Sequence, residues 1–282
     1  MKPAAFEYHA PETIDEVCAL LAEYGDEAKV LAGGQSLVPM LALRLTRFEH
    51  LVDVNRVGEL AGFGRENGTL VVQAATRQRV MERDAAIGAA VPLLARATPL
   101  IGHFQIRNRG TVGGSLAHAD PASEYPAVAV ALGAEFDLAR HGVARRRVSA
   151  DDFFVGTWET LAGPDELLVA ARFPVWPDHS GFAIEEVARR HGDFALAGVA
   201  VAVSAGRAGI ALFGVGSTPV RARAAADALL AGAEPADVAE AAVAGLEPPT
   251  DVHASSKSRL QITRHLVERA VARAREDMHA RG

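Results

Sequence analysis

The sequence predicts an α+β chain in which two α/β subdomains are followed by a small C-terminal domain of antiparallel sheet plus helices. Three observations carry that reading. In the first half, short apolar runs fit for buried strands alternate with stretches whose apolar residues recur at helical spacing. Two glycine-rich turns, AGGQS at Ala32–Ser36 and RNRGTVGGSLAHADPASEYP at Arg107–Pro126, break those runs about eighty residues apart. After Val175, EEVARRHGDFALAGVAVAVSAGRAGIALFGVGS alternates short apolar segments with Gly turns, the pattern of a small antiparallel sheet.

Taken in order, Phe6–Tyr8 is the first expected strand. Thr13 with Glu16 three residues on forms a capping box that opens a helix, whose inner face is Ile14, Val17, Leu21 and Tyr24 and whose stop is Gly25. Lys29–Ala32 is a strand feeding the first glycine turn, SLVPMLALRL a short helix, and HLVDVNRV from His50 a further strand. These complete a first subdomain over residues 1–56, and TLVVQAAT opens the second over residues 57–175. There a helical region runs from Val80 to Ala97, the second glycine turn follows, and Tyr125–Leu132 is apolar enough to be a buried helix. DELLVAARFP reads as a strand ended by Pro174, and WPDHSG supplies the linker chemistry that sets the main boundary near Val175. In residues 176–282 helices are expected from Pro219 onward. In the last of them Ile262, Leu266, Ala270 and Ala274 form one apolar stripe, read as packing on the sheet.

Composition bounds the chemistry. With 282 residues, 49% apolar and 23% charged, the chain can bury the core of about two domains and is an ordinary globular sequence. A net charge of -6 argues against a broad nucleic-acid surface, which needs a basic excess, and the Arg145–Arg147 run reads as a solvated strand edge. No run approaches the ~20 apolar residues of a membrane span and no signal core is present, so a cytoplasmic location is the expectation. Cys18 is the only cysteine, which excludes a disulfide, a CxxC pair and a thiolate-held iron-sulfur cluster or zinc site within this chain. It sits at an apolar position of the first helix and is expected in the core. The ten His residues show no HExxH spacing; His103 and His118 flank the second glycine turn. Electron transfer, if this chain performs it, needs a bound cofactor.

The glycine turns are the candidate site. The first stands where a strand ends and a helix begins, so Gly33 and Gly34 let backbone N–H groups approach an anion, with Gln35 and Ser36 adding an amide and a hydroxyl. In the second, Gly113 and Gly114 are flanked by the hydroxyls of Thr111 and Ser115 and followed by Asp120 and Glu124. A single Gly-Gly is common in ordinary turns. Two such turns in one chain, with a carboxylate downstream, point to a dinucleotide pyrophosphate held from two sides. The spacing is not GxGxxG, and no GxxxxGK[ST] occurs, which sets aside the Rossmann and P-loop cradles.

On AGGQSLVPMLALR, IGHFQIRNRGTVGGSLAHADPASEYPA, DFFVGTWET, DELLVAARFP, EEVARRHGDFALAGVAVAV and GVGSTPVRA, the chain resembles, nearly end to end, the FAD-binding medium subunit of molybdenum hydroxylases. That group includes carbon monoxide dehydrogenase and the flavin segment of xanthine dehydrogenase. The resemblance implies a PCMH-type FAD-binding domain over residues 1–175 and a C-terminal domain of the same flavoprotein type over 176–282. It implies that Ala32, Gly33, Gly34, Gln35, Ser36 and Leu37 hold the FAD pyrophosphate from one side and Thr111, Val112, Gly113, Gly114 and Ser115 from the other. Glu124 would hydrogen-bond the nucleotide part, and Ile101, Ile106 and Leu168 would line apolar walls near the rings. No general acid or base is implied, and no metal ligand. Two departures stand out: Ser258, where the family usually has an aromatic residue, and Glu185, where the xanthine dehydrogenase branch carries a Lys; the second favours the carbon monoxide dehydrogenase-like branch.

The function so implied is that of an electron-transfer subunit, an oxidoreductase component. It would receive electrons from an iron-sulfur small subunit beside a molybdopterin large subunit and pass them through FAD to NAD or a quinone. Two other readings stay open: a stand-alone FAD oxidase or reductase of the same broad fold, and a non-enzymatic nucleotide-binding scaffold subunit.

Overall fold

A computed structural model describes residues 2–281. The chain starts with β1 (Glu7–His9), α1 (Ile14–Tyr24), β2 (Ala28–Leu31), α2 (Leu37–Ala42) and β3 (His50–Asp53). The three strands form a parallel sheet in the order β1-β3-β2. The capping box is present: Glu16 N–H donates to Thr13 Oγ1, and the Glu16 carboxylate accepts from Thr13 N–H. Gly25 ends the helix at φ 49°, where a side chain would be strained. Ile14, Val17, Cys18 and Leu21 are buried, and they pack with Ala139, Leu167 and Val169 of the second sheet, so α1 glues the small parallel sheet to the rest.

The second sheet is antiparallel, in the order β4-β5-β10-β6-β7. Its strands are β4 (Phe63–Glu66), β5 (Thr69–Gln73), β6 (Glu135–Arg140), β7 (Val143–Ser149) and β10 (Glu166–Pro174), with a small hairpin of β8 (Phe154–Gly156) and β9 (Glu159–Thr160) before the last. Arg145–Arg147 lie exposed on edge strand β7, as expected of a solvated edge. Between β5 and β6 run α3 (Gln78–Arg83), α4 (Ala85–Ala90), α5 (Pro92–Ala97), α6 (Phe104–Arg109), α7 (Val112–His118) and α8 (Glu124–Leu132); α9 (Ala150–Phe153) follows β7.

The helical region expected from Val80 to Ala97 is thus three short helices. Asp84 closes α3 and caps α4 through Ala86 N–H, and Val91, held outside the helical region (φ -136°, ψ 76°) before Pro92, makes a second break. The first strand lies one residue later than expected, at Glu7–His9.

The third sheet, β11-β12-β13-β14, comprises β11 (Gly181–Ala188), β12 (Ala195–Ser204), β13 (Arg207–Phe213) and β14 (Val220–Arg221), all antiparallel. One face is covered by α10 (Arg223–Leu230), α11 (Pro235–Val243) and α12 (Ser256–Ala280). Leu266, Ala270 and Ala274 of the predicted stripe are buried there and Ile262 packs at their edge. On the other face lies α8, all nine of whose residues are buried, sandwiched in one core with Phe136, Phe173, Ala200 and Phe213. A helix apolar all round needs neighbours on every side, and α8 has them.

Candidate functional site

The first glycine turn leaves β2 at Leu31 and enters α2 at Leu37. Gly34 sits at φ 72°, and Gln35 Nε2 donates to Gly33 O at 3.0 Å, closing the turn on itself. No protein acceptor among the described residues receives the N–H groups of Gly33, Gly34, Gln35, Ser36 or Leu37. Consecutive unpaired donors in a turn of this kind form a concave nest suited to an anion. At the next residue the pairing resumes, with Val38 N–H donating to Gly34 O at 3.0 Å.

The second turn is built differently. Thr111 caps α7, its Oγ1 accepting from Gly114 N–H at 3.1 Å. Val112 N–H donates to Thr76 O at 2.9 Å, Gly113 N–H to Ala74 O at 2.8 Å and Ser115 N–H to Thr111 O at 3.1 Å. The backbone donors of Val112, Gly113, Gly114 and Ser115 are therefore spent on protein, and among the groups the turn offers is the Ser115 hydroxyl, 3.2 Å from that of Ser123. Sequence reasoning gave both glycine pairs the same task; their geometry separates them. A Cβ on Gly113 would stand 2.7 Å from Ala74 Cα, and one on Gly33 would stand 2.5 Å from Arg109 O and 2.7 Å from Gly110 Cα. These two glycines let backbone meet backbone, and Gly33 does so across the two turns. On Gly114 a Cβ would meet Thr111 Oγ1 at 2.6 Å and Ala32 Cβ at 3.5 Å. Ala32–Leu37, which joins β2 to α2, and Arg109–Ser115, which joins α6 to α7, are thus brought together from opposite ends of about eighty residues of chain.

A clamp that sequence reasoning missed holds them there. Arg77 donates through Nη2 to Asn55 Oδ1 at 2.6 Å and through Nη1 to Arg109 O. Asn55 Nδ2 in turn donates to Ala32 O at 2.8 Å, and Asp53 Oδ1 accepts from Asn55 N–H at 2.8 Å. Tyr8 OH donates to Asp53 Oδ2 at 2.6 Å, and that hydrogen bond to a carboxylate pushes the phenol above its usual range. A cavity of about 420 Å³ borders the clamp, lined by Asn55, Ala75, Thr76 and Arg77 with Val57 and Phe63, and it contains none of the predicted site residues. The sequence reading placed Asn55 inside the strand HLVDVNRV, whereas β3 ends at Asp53 and Asn55 lies in the turn after it; Arg77 carried no signal.

Ile101 and Ile106 are half-buried beside Gly102. The loop that carries Ile101 is held by Arg107, which folds back to donate to Ile101 O at 3.1 Å and Gly102 O at 3.0 Å while forking onto Glu82 at 3.0 Å. Leu168 lies on β10 opposite Leu138, buried in the main core with Val112 and Leu116. Its side chain belongs to the layer behind the second turn. His118 is part-buried, stacked beside Trp158, and burial lowers its pKa.

Glu124 opens α8 and is buried; loss of water, then the nearby charge of Glu186, push its carboxyl up to about 8. Glu186 on β11 is raised to about 7 by burial alone, and its Oε2 has no hydrogen-bond partner among the described residues. Strand alternation turns Glu185 the other way, into an ion pair with Arg273 and, at 3.3 Å, with Arg269 on α12. Glu185 thus ties α12 to the sheet. Ser258, the other departure, pairs with the Ser255 cap of α12 at 2.8 Å, next to buried Arg259.

Comparison with known proteins agrees with this architecture. Residues 4–176 match the FAD binding domain in molybdopterin dehydrogenase, and residues 182–274 match the CO dehydrogenase flavoprotein C-terminal domain. The chain is 40% identical to the 6-hydroxypseudooxynicotine dehydrogenase complex subunit alpha of Paenarthrobacter nicotinovorans, over 97% of this chain and 96% of that one. It is 39% identical to the carbon monoxide dehydrogenase medium chain of Hydrogenophaga pseudoflava, over 96% and 97%. In the solved structure of carbon monoxide dehydrogenase from that organism, a chain 41% identical superposes with a TM-score of 0.93, covering 97% of this chain and 98% of that one.

Proposed function

The chain belongs to the FAD-binding flavoprotein subunits of the molybdopterin dehydrogenases, a family of oxidoreductases, and we propose that it carries electrons between an iron-sulfur partner and a soluble or quinone acceptor. The observation that carries this reading is the row of unpaired N–H groups from Gly33 to Leu37, lying against a second turn in a chain whose lone cysteine cannot by itself hold an iron-sulfur cluster. Bound FAD supplies the redox chemistry; the protein supplies position, solvent exclusion and the local field.

In this reading the Gly33–Leu37 donors take the pyrophosphate. Ala32 is fixed by Asn55, and Thr111, Val112, Gly113, Gly114 and Ser115 close the other side by shape and hydroxyls. Ile101 and Ile106 face the rings, Leu168 backs the second turn from the core, and Glu124 meets hydroxyl or ring N–H groups of the cofactor. Residues 1–175 act as the FAD-binding domain and 176–282 as the C-terminal domain that covers α8. The partners are an iron-sulfur small subunit and a molybdopterin large subunit, the acceptor is NAD or a quinone, and the assembly works in the cytoplasm. No helix among the described residues is long and apolar enough to cross a membrane.

The test is to purify the complex with its partners and mix it rapidly with an oxidisable substrate, then with NAD⁺ or a short-chain quinone. Acceptor reduction that depends on this chain supports the reading. Equal rates in a complex lacking it would sink the proposal. One observation favours a second reading: carboxyls held protonated near neutral pH, as at Glu124, are what a stand-alone FAD oxidase would need. Turnover of a small substrate by the isolated chain would select that reading.

A further inference from the structure

The parallel sheet carries a cluster that the flavin site does not use. Glu7 and His9 are two residues apart on β1 and so share one face of it. His50 opens β3 directly beside Glu7 in the ladder. His9 Nε2 and His50 Nδ1 are 3.1 Å apart, and a Glu7 carboxylate oxygen lies 3.6 Å from the same His50 Nδ1. One ligand atom from each of the three lies within 4.8 Å of the others.

A tetrahedral zinc ion with bonds of about 2.0–2.1 Å needs ligand atoms roughly 3.3 Å apart. The two closest separations bracket that value. Two imidazole nitrogens facing each other at 3.1 Å also require something electropositive between their lone pairs, either a proton or a metal ion. The rings are held in place: Tyr24 of α1 stacks on His50 with centroids 3.8 Å apart and planes 8° apart, and on His9 at 5.4 Å. The His50 side chain is 13% exposed and that of Glu7 73%, so the cluster is walled on the protein side and open to water on the other, where a fourth ligand can enter. Two imidazoles with one carboxylate favour a borderline transition ion over Mg²⁺ or Ca²⁺, which prefer all-oxygen shells.

We propose that Glu7, His9 and His50 bind one divalent transition-metal ion of the zinc class, which clips the three-residue edge strand β1 to β3. His50 begins β3 and Asp53, which borders the flavin clamp, ends it, so the clip acts at the opposite end of the strand from the cofactor.

The untagged full chain with its flavin, stripped with EDTA, is titrated with ZnCl₂ by calorimetry and separately with CoCl₂ by difference spectroscopy. One ion per chain, bound in the micromolar range or tighter, with the intense visible d–d bands of four-coordinate cobalt, is the expected result. His9→Gln and His50→Gln should each weaken zinc by at least about tenfold while the flavin content is unchanged. Because rearranged rings could disturb folding, Glu7→Gln, on an exposed side chain, serves as the second variant and should weaken it as well. Non-saturating zinc uptake, or equal affinity in the His9→Gln/His50→Gln double variant, overturns the proposal.

Discussion

Gly33→Ala tests how the two turns are held together. The added Cβ would lie 2.5 Å from Arg109 O and 2.7 Å from Gly110 Cα, both backbone atoms that cannot swing aside. Ordinary contact needs about 3.5 Å, so the turns must part by roughly 1 Å. Overpacking of this kind costs about 1–3 kcal/mol, and at ~2–4 °C per kcal/mol the melting temperature of the flavin-free chain should fall by about 2–12 °C. The effect on FAD should be larger. A 1 Å displacement takes an N–H···O contact from about 2.9 Å beyond hydrogen-bond range, and each bond to a charged oxygen is worth about 1.5–3 kcal/mol. Losing even one weakens FAD by at least about tenfold. The assay is fluorescence titration of the flavin-free chain with FAD beside a melting curve, with Gly206→Ala as control because a Cβ there meets nothing within 4 Å. Wild-type FAD affinity and an unchanged melting temperature in Gly33→Ala would show that the close backbone contact at Gly33 does not hold the two turns.

Further expectations concern the supports and the buried acids. Arg77→Met removes the donors to Asn55 Oδ1 and Arg109 O; FAD affinity should drop by about tenfold or more, with a stability loss of about 1–3 kcal/mol in urea unfolding. Arg107→Leu leaves the partly exposed Glu82 carboxylate without its partner and frees the carbonyls of Ile101 and Gly102, which should cost about 1–3 kcal/mol by the same measurement. Glu124 and Glu186 have folded-state pKa values near 8 and 7, above the ordinary carboxyl range, so the folded chain holds protons that the unfolded chain releases. Stability of the flavin-free chain should therefore fall as pH rises from about 4.5 to about 8, and Glu124→Gln should flatten most of that slope in melting curves.

Local signals were legible. The Thr13–Glu16 box, the Gly25 stop, the strand before Gly33 and the apolar Tyr125–Leu132 segment each act within a few residues; the box and the stop stand where the letters put them, and the strand (Ala28–Leu31) and the helix (Glu124–Leu132) lie within one residue of their expected bounds. What depends on tertiary contact was not legible. Asn55 and Arg77 meet Ala32 and Arg109 only because the parallel sheet docks on the antiparallel one, and no spacing encodes that meeting. Gly33 and Gly113 look alike in the sequence to a phosphate-facing glycine, yet each is required by a neighbouring backbone. Glu185 drew notice as a departure from a related branch, while strand alternation gives the buried unpaired carboxylate to its neighbour Glu186. The breaks at Asp84 and Val91 depend on a cap and a pre-proline restriction that helical periodicity averages away.

On the proposed reading this chain holds FAD against the two turns and works as a relay. The most direct measurement is the visible absorption spectrum of the purified chain, before and after anaerobic dithionite, with the released flavin identified after denaturation. The expected result is FAD, present near one per chain, bleached by dithionite and inert toward small oxidisable substrates in the absence of partners. A colourless chain that cannot be loaded with FAD would contradict it.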